Sequence, residues 1–556
     1  MNTTSLQCPE LALVDDYLGY YASFRGDAVA AVSNGRHLTY SELRLDVQHL
    51  ANAMRIAGVC KGDVVATLAD PGEVFLLTFL ASLSIGAIWV GLNPKYTIEE
   101  YQYILEDCKP KVIFCDQMAG SRDYVRDIIQ ATERLSELRA VVVCDDKYDF
   151  DRDSGPMEND LFRMMANINS SRPISLNSFK SLCPKGLSLS ILCSAVHVSD
   201  PAIIVYTSGS TGSPKGAVLS HNGLTKCCRI QRRYWSVTPL KILNNLPINH
   251  IGCVGDLTAF SIISGGTLYF QERFDPERIV KSIEQDQITF LGQVPTMFQL
   301  LLDKVEELGE VDFSSLKIVA WSGAPASREL VEKLVKICPV STSYGLTETV
   351  GSITFVPPTN NVEELSGSVG WPVPEYEVRL ANGDFVVNEV GEQGEVQVRG
   401  DFLLLRYWNN EQATQAAFTK DGWYKTGDLA VWKPNGAIAV VGRANDMFIS
   451  GGYNVYPREI EQRIEAIPGV SLVAVVGVPD DVFGETGIAF LTIDADAGLC
   501  SDDIRSLCSK NLANYKVPKS FVIVEELPIL PIGKIDKSAL KERWTLQQQP
   551  NTALGK

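Results

Sequence analysis

No lysine- or arginine-rich run occurs in this 556-residue chain, and acidic side chains outnumber basic ones to give a formal net charge of −17. A nucleic-acid surface needs a basic face against the phosphate backbone, so that class of partner is excluded. Cys-x-x-Cys pairs are also missing: the 13 cysteines are scattered, and only Cys227 and Cys228 are adjacent. This odd, unpatterned set reads as reduced thiols and predicts a cytoplasmic protein. The first ten residues lack the basic start and apolar block of a secretory leader. Long apolar runs are rare too. One stretch approaches membrane-spanning length, "VFLLTFLASLSIGAIWVGL" at 74–92, and Gly86 splits it into a helix-like half with Thr78, Ser82 and Ser84 and a strand-like "AIWV". Length and punctuation predict a buried helix and strand there, not a transmembrane segment.

The composition that remains is that of a globular protein, 45% apolar and 21% charged, in a chain too long for a single core. Runs rich in β-branched residues recur at 63–68, 111–115, 140–144, 202–207, 288–294 and 317–323. Helix-period segments such as "YSELRLDVQHLANAMRIAG" and "ASRELVEKLVKI" lie between several of them. The alternation predicts an α/β fold with largely parallel, stacked sheets. Residues 145–160 are acidic and read as a surface insertion. After 370, short strands with glycine turns predict a small antiparallel β subdomain. From about 446 a helix, two strands, a helix and a further strand predict a small α+β domain, with the tail after Trp544 frayed.

The stretch "YTSGSTGSPKG" at 206–216 follows the apolar run "AIIVYT". Backbone N–H groups and the hydroxyls of Thr207, Ser208, Ser210, Thr211 and Ser213 can converge there on an anion. Gly209, Gly212 and Gly216 permit close approach, and Lys215 adds a point charge. It is not a Walker A loop, because Lys215 follows Pro214 and precedes Gly216. Read alone, the stretch is equally a polar turn.

The full string closely resembles the signature of the adenylate-forming superfamily, which contains acyl-CoA synthetases, luciferases and peptide-synthetase adenylation domains. Four further motifs follow in the family's order: "SYGLTET" (343–349), "WYKTGDLA" (423–430), "GRANDMFISGGYNVYPREIE" (442–461) and "PILPIGKID" (528–536). The resemblance spans nearly the whole chain and is strongest to acyl-CoA ligases. It implies a large N-terminal domain, 1–444, and a small mobile C-terminal domain, 445–556, with a hinge at Asn445, where the family usually has Asp or Lys. It also implies a two-step ligase reaction: a carboxylate attacks the α-phosphate of ATP to give an acyl-adenylate and pyrophosphate, and a thiol then displaces AMP.

The family pattern carries over residue by residue. Thr207, Ser208, Gly209, Ser210, Thr211, Gly212 and Lys215 would face the β- and γ-phosphates, and Thr347 the α-phosphate. Glu348 would bind Mg2+, a hard cation suited to carboxylate and phosphate oxygens. Tyr344 would stack on adenine beside Gly323 and Ala324, Asp428 would bind the ribose, and Arg443 would contact the nucleotide. Lys534 would bridge the carboxylate and α-phosphate, where charge develops. Ile529 and Leu530 stand where the family often has a basic residue and a hydroxyl. Taken singly these residues have plainer readings: Tyr344 as a core aromatic, Asp428 as a turn aspartate, and Glu348, Arg443 and Lys534 as surface charges.

The junction sequence resembles that of acyl-CoA ligases, which implies coenzyme A as the thiol, with Gly451 and Gly452 small enough to pass its pantetheine arm. A carrier-protein phosphopantetheine is the nearest rival. His250 in "LPINHIG" matches a carboxylate-pocket position, often a gate. Gly252, Cys253 and Val254 with Trp321, Gly323, Ala324 and Val350 would form an apolar wall, with Asp256 close by in sequence. Trp321 replaces a usually small residue: inward it would shorten the tunnel, outward it would pack the sheet. The acid expected is apolar, whether fatty, aromatic or alicyclic, which reaches as far as fatty acid metabolism. Two alternatives remain: an acyl-AMP ligase or luciferase-like oxidase sharing the first step, and a non-catalytic nucleotide-binding regulator. The oligomeric state, a homodimer included, and the pathway are open.

Overall fold

The computed structural model describes residues 9–119, 122–144, 173–183, 195–207, 214–494, 497–530 and 533–548. The acidic stretch 145–160 and loop residues Ser208, Gly209, Ser210, Thr211, Gly212 and Ser213 lie outside them.

Two large sheets form the N-terminal body. Val64–Leu68 is buried at every position and pairs in parallel with Ile88–Leu92 and Val112–Cys115, as a strand covered on both faces should. Ala140–Val143 and Ile174–Ser175 extend this eight-stranded sheet on one side, and Pro201–Thr207 joins it in parallel on the other. There the direction changes: Lys215–Ser220 pairs antiparallel with Pro201–Thr207, and Arg406–Tyr407 antiparallel with Lys215–Ser220. The glycine-rich loop is thus the connection of a β-hairpin. The nine-stranded second sheet has a parallel centre made by Thr267–Phe270, Lys241–Asn244, Phe290–Gln293, Ile318–Trp321 and Val340–Leu346. Gly351–Thr359 returns antiparallel beside the last of these.

Helices Val14–Phe24, Tyr40–Ile56, Glu73–Ile85 and His221–Tyr234 share one apolar core with residues of both sheets. Local chemistry sets their ends. Thr39 and Glu42 form a capping box at the second helix, with the Glu42 carboxylate accepting from the Thr39 N–H at 2.9 Å. Glu73–Ile85 is buried nearly all round and stops at Gly86, which is left-handed at φ 71°, so the membrane-length stretch resolves into a core helix and a core strand. Among the described residues no helix is long and apolar enough to cross a membrane. The outer faces of the two sheets carry separate cores, one with helices Ile98–Cys108 and Tyr124–Thr132, the other with Pro276–Asp286, Pro295–Leu308 and Arg328–Leu334.

A five-stranded antiparallel sheet follows, from Glu377–Asn382 to Ile438–Arg443. The smaller C-terminal domain is built on the long hairpin Val470–Asp480 and Gly484–Ile493. Helices Pro457–Glu465 and Ser501–Asn511 cover one face and Lys537–Gln548 the other. Of the tail after Trp544, the first residues continue the helix, and 549–556 lie outside the described residues. The Trp544 ring packs edge-on against Phe490 at 6.3 Å, and the helix runs on to Gln548. The mixed α/β architecture is the one the sequence predicts.

Candidate active site

Strand Val340–Leu346 delivers Tyr344 at its end, and the next residues, Thr347–Thr349, tighten into a single 3-10 turn. The Tyr344 hydroxyl donates to Asp428 Oδ2 at 2.7 Å, and Arg443 Nε donates to Asp428 Oδ1 at 2.8 Å. Asp428 and Arg443 are register partners on adjacent strands of the five-stranded sheet, which is why the pair can close. Asp428 is only 4% exposed, so its charge is held by these two donors. Burial and the Asp428 charge push the Tyr344 phenol well above its usual range, which keeps it a donor. Arg443 is held charged, chiefly by Asp428.

A second group lies around Tyr407. Its hydroxyl donates to Glu348 Oε1 at 2.9 Å, and Lys215 Nζ sits 5.7 Å from its ring centroid. One tyrosine therefore ties the lysine of the hairpin to the glutamate of the 3-10 turn. Tyr407 reaches this place because Arg406–Tyr407 pairs with Ala217–Val218. Sequence reasoning missed it; a long-range two-residue strand leaves no local signal. Glu348 Oε2 has no hydrogen-bond partner among the described residues.

Lys534 comes from the C-terminal domain. Leu530 and Lys534 close a hairpin in which Leu530 N–H donates to Lys534 O at 2.7 Å. Two glycines let it dock on the large domain. A Cβ on Gly533 would stand 2.5 Å from Val294 Cγ2, and one on Gly323 would stand 3.1 Å from Lys534 Cε and 3.4 Å from Nζ. Both have φ of 82°, where a side chain would also be strained. The ammonium is drawn down to about 8, first by burial and then by repulsion from Arg443, with Asp428 opposing. At pH 7 it is still charged. His250 is pushed down to about 4 by burial and, secondarily, by Lys534, so its imidazole is neutral. The structure thus brings Tyr344, Asp428, Arg443, Lys534, Gly323 and His250 into one neighbourhood, with Ala324 half-buried next to Gly323.

His250 leads into a π-helical stretch, Gly252–Ala259, which carries the buried Cys253 and Val254. Val350 follows the 3-10 turn at φ 62°, a left-handed conformation rarely taken by a β-branched residue. These three apolar residues belong to the core shared by the two sheets. Trp321 does not. It is 3% exposed and packs with Leu243, Leu291, Phe298 and Leu301 in the outer core. On a strand, alternate side chains face opposite ways: Ile318 and Ala320 face the inner core, Val319 and Trp321 the helices outside. The expectation that Trp321 lines an acyl pocket is therefore corrected; it packs the sheet.

Gly451 and Gly452 form the exposed turn between Phe448–Ser450 and Tyr453–Val455, and the nearest side chain to Gly451 is Phe483. Asn445 lies in the 3-10 turn Ala444–Asp446 that leads out of the five-stranded sheet. Among the described residues no group of three or more His, Cys, Asp or Glu side chains could hold a metal ion.

Known proteins share this organisation. The family profile described as AMP-binding enzyme matches residues 21–408, and that of the AMP-binding enzyme C-terminal domain matches 459–534. Feruloyl-CoA synthase of an Amycolatopsis species is 31% identical over 519 residues, 93% of this chain and 96% of that protein. Indoleacetate–CoA ligase of Aromatoleum aromaticum is 29% identical over 520 residues, 92% and 95% of the two chains. The solved o-succinylbenzoate CoA synthetase of Bacillus subtilis, in complex with its acyl-adenylate intermediate, superposes with a TM-score of 0.76 at 26% identity, covering 94% of this chain and 97% of that one. The chain belongs to the AMP-binding enzyme family, where it stands with the AMP-forming CoA ligases.

Proposed function

We propose that this chain activates a carboxylic acid with an apolar body as its acyl-adenylate and transfers the acyl group to coenzyme A, releasing pyrophosphate and then AMP. The observation that carries the reading is the seating of Lys534 against Gly323, beside the Tyr344, Asp428 and Arg443 group. A charged lysine brought in by a second domain suits a step in which negative charge gathers between a carboxylate and an α-phosphate.

In this reading Tyr344, Gly323 and Ala324 hold the adenine, Asp428 the ribose and Arg443 the nucleotide. Thr347 contacts the α-phosphate; Lys215 and Thr207, with loop residues 208–212, cradle the β- and γ-phosphates. Mg2+ arrives as part of the nucleotide substrate. Glu348 fits it, since one carboxylate oxygen is held by Tyr407 and the other lacks a protein partner among the described residues. Neutral His250 stands where the acid's carboxylate enters and, uncharged, does not compete with Lys534 for it. Cys253 and Val350 wall the acyl side. Residues 1–444 act as the adenylating body and 445–556 as the moving part, turning about Asn445 so that Gly451 and Gly452 can admit the thiol. Coenzyme A is the acceptor favoured by the CoA-ligase relatives.

ATP-dependent pyrophosphate release, measured over fatty, aromatic and alicyclic acids with and without coenzyme A, tests this. Release with acyl-CoA formed, lost in Lys534→Ala, is expected. Release without thioester at any coenzyme A concentration would favour a carrier protein or oxidation, and no release with any acid would overturn the reading.

A further inference from the structure

Residues 404–408 run between the glycine-rich hairpin and the 3-10 turn and are pinned to both. Leu404 N–H donates to Glu348 O at 2.8 Å, Leu405 N–H to Val218 O at 2.8 Å, and Trp408 N–H to Gly216 O at 2.7 Å. Tyr407 lies within this strap, buried, with Ala217 as its register partner. Lys215 is two residues before Ala217 and so shares its face, diagonal to Tyr407 across the strand pair.

The ring and the hydroxyl of Tyr407 then hold different groups. Lys215 Nζ stands over the ring, 5.7 Å from its centroid, where the π face attracts a cation. The hydroxyl donates to Glu348 Oε1 at 2.9 Å. A phenol has one proton, so the Tyr424 hydroxyl, 3.3 Å away, is the donor to Tyr407 Oη and keeps that proton aimed at Glu348. Glu348 and Tyr424 are buried as well. Among the described residues neither Lys215 nor Glu348 takes part in an ion pair. Opposite charges flanking one ring in an enclosed site attract each other strongly. An ion pair between them would use up the positive charge that phosphate oxygens need and the negative charge that Mg2+ needs.

We propose that Tyr407 is a positioning residue. It keeps Lys215 on its ring and Glu348 on its hydroxyl, so that the nucleotide's phosphates meet an unpaired lysine and its Mg2+ meets Glu348 Oε2. This rests on the nucleotide assignments in the reading above and deepens them, from the residues that touch Mg·ATP to the one that sets them in place before it arrives. Groups hydrogen-bonded to a metal-binding carboxylate commonly change metal affinity by about 10–100-fold when removed.

The test is calorimetric binding of ATP without any acid, once in excess EDTA and once in saturating Mg2+. The ratio of the two affinities is the Mg2+ gain. Tyr407→Phe keeps the ring under Lys215 and removes the hydroxyl. Its affinity for ATP alone should match the wild type's, while the gain falls by about tenfold or more. Tyr407→Leu, which removes the ring too, should also weaken ATP alone. Glu348→Gln should lose the gain, and adding Tyr407→Phe to it should lower the gain no further, because the tyrosine acts through the glutamate. If Tyr407→Phe does not fold, Tyr424→Phe takes its place, with ATP alone unchanged and the gain lowered several-fold. A full gain without the hydroxyl, equal loss of both affinities as a merely structural change would give, or a Tyr407→Leu protein no different from Tyr407→Phe would overturn the proposal. So would additive losses in the double variant, or a wild type with no Mg2+ gain; each leaves the ligase reading standing. A wild-type protein that binds no ATP would bring down both.

Discussion

At the scale of single residues, the proposed chemistry turns on one lysine whose proton is loosely held. Burial and Arg443 bring the Lys534 ammonium down to about 8. The charged form is the one below that value, so it is present at pH 7 and is lost as pH rises through 8. We predict that kcat/KM for adenylate formation, which reports the free enzyme, falls about tenfold per pH unit above that point. His250, neutral above about 4, should contribute no limb between pH 5 and 8; a pH–rate profile checks both. Lys534, Asp428, Arg443, Tyr344 and Glu348 were legible in the sequence because each sits in a motif whose order along the chain is itself informative. Tyr407 was not, because it is recruited by strand pairing with Ala217–Val218, nearly two hundred residues away. Trp321 was legible as a residue but not as a direction. Which face of a strand it occupies depends on what packs above and below it.

At the scale of elements, that direction has a measurable consequence. Trp321→Ala removes a large side chain from the core between the nine-stranded sheet and the helices Pro276–Asp286, Pro295–Leu308 and Arg328–Leu334. Such a truncation costs about 3–5 kcal/mol. We predict a loss of that size in denaturant unfolding, with the order of preference among acids of different length unchanged. A selective gain for long acids would show that the ring blocks the tunnel after all. The buried parallel strands and the division of residues 74–92 into helix and strand were readable from apolar runs and breakers. The hairpin nature of the glycine-rich connection was not, because a short apolar strand carries no mark of parallel or antiparallel pairing. Nor was the π-helical turn at Gly252–Ala259, whose sequence differs little from that of an ordinary buried helix.

At the scale of the whole molecule, the seated hairpin raises a conflict. While Gly533 lies against Val294 and Lys534 against Gly323, the C-terminal domain occupies the large domain's face. Adenylate formation suits this arrangement, and on our account attack by a thiol requires another. Unseating the hairpin separates the steps. A Cβ on Gly533 would fall 2.5 Å from Val294 Cγ2 and 3.0 Å from Met297 Cγ and Cε, at a φ of 82°, so a side chain there keeps Lys534 from its seat. The deciding measurement is therefore single-turnover product analysis of Gly533→Val with ATP, acid and coenzyme A, beside a run started from preformed acyl-adenylate and coenzyme A. The account predicts that the variant loses acyl-adenylate and pyrophosphate formation but still makes thioester from the supplied adenylate. Acyl-adenylate formed from ATP and acid at an undiminished rate would contradict it.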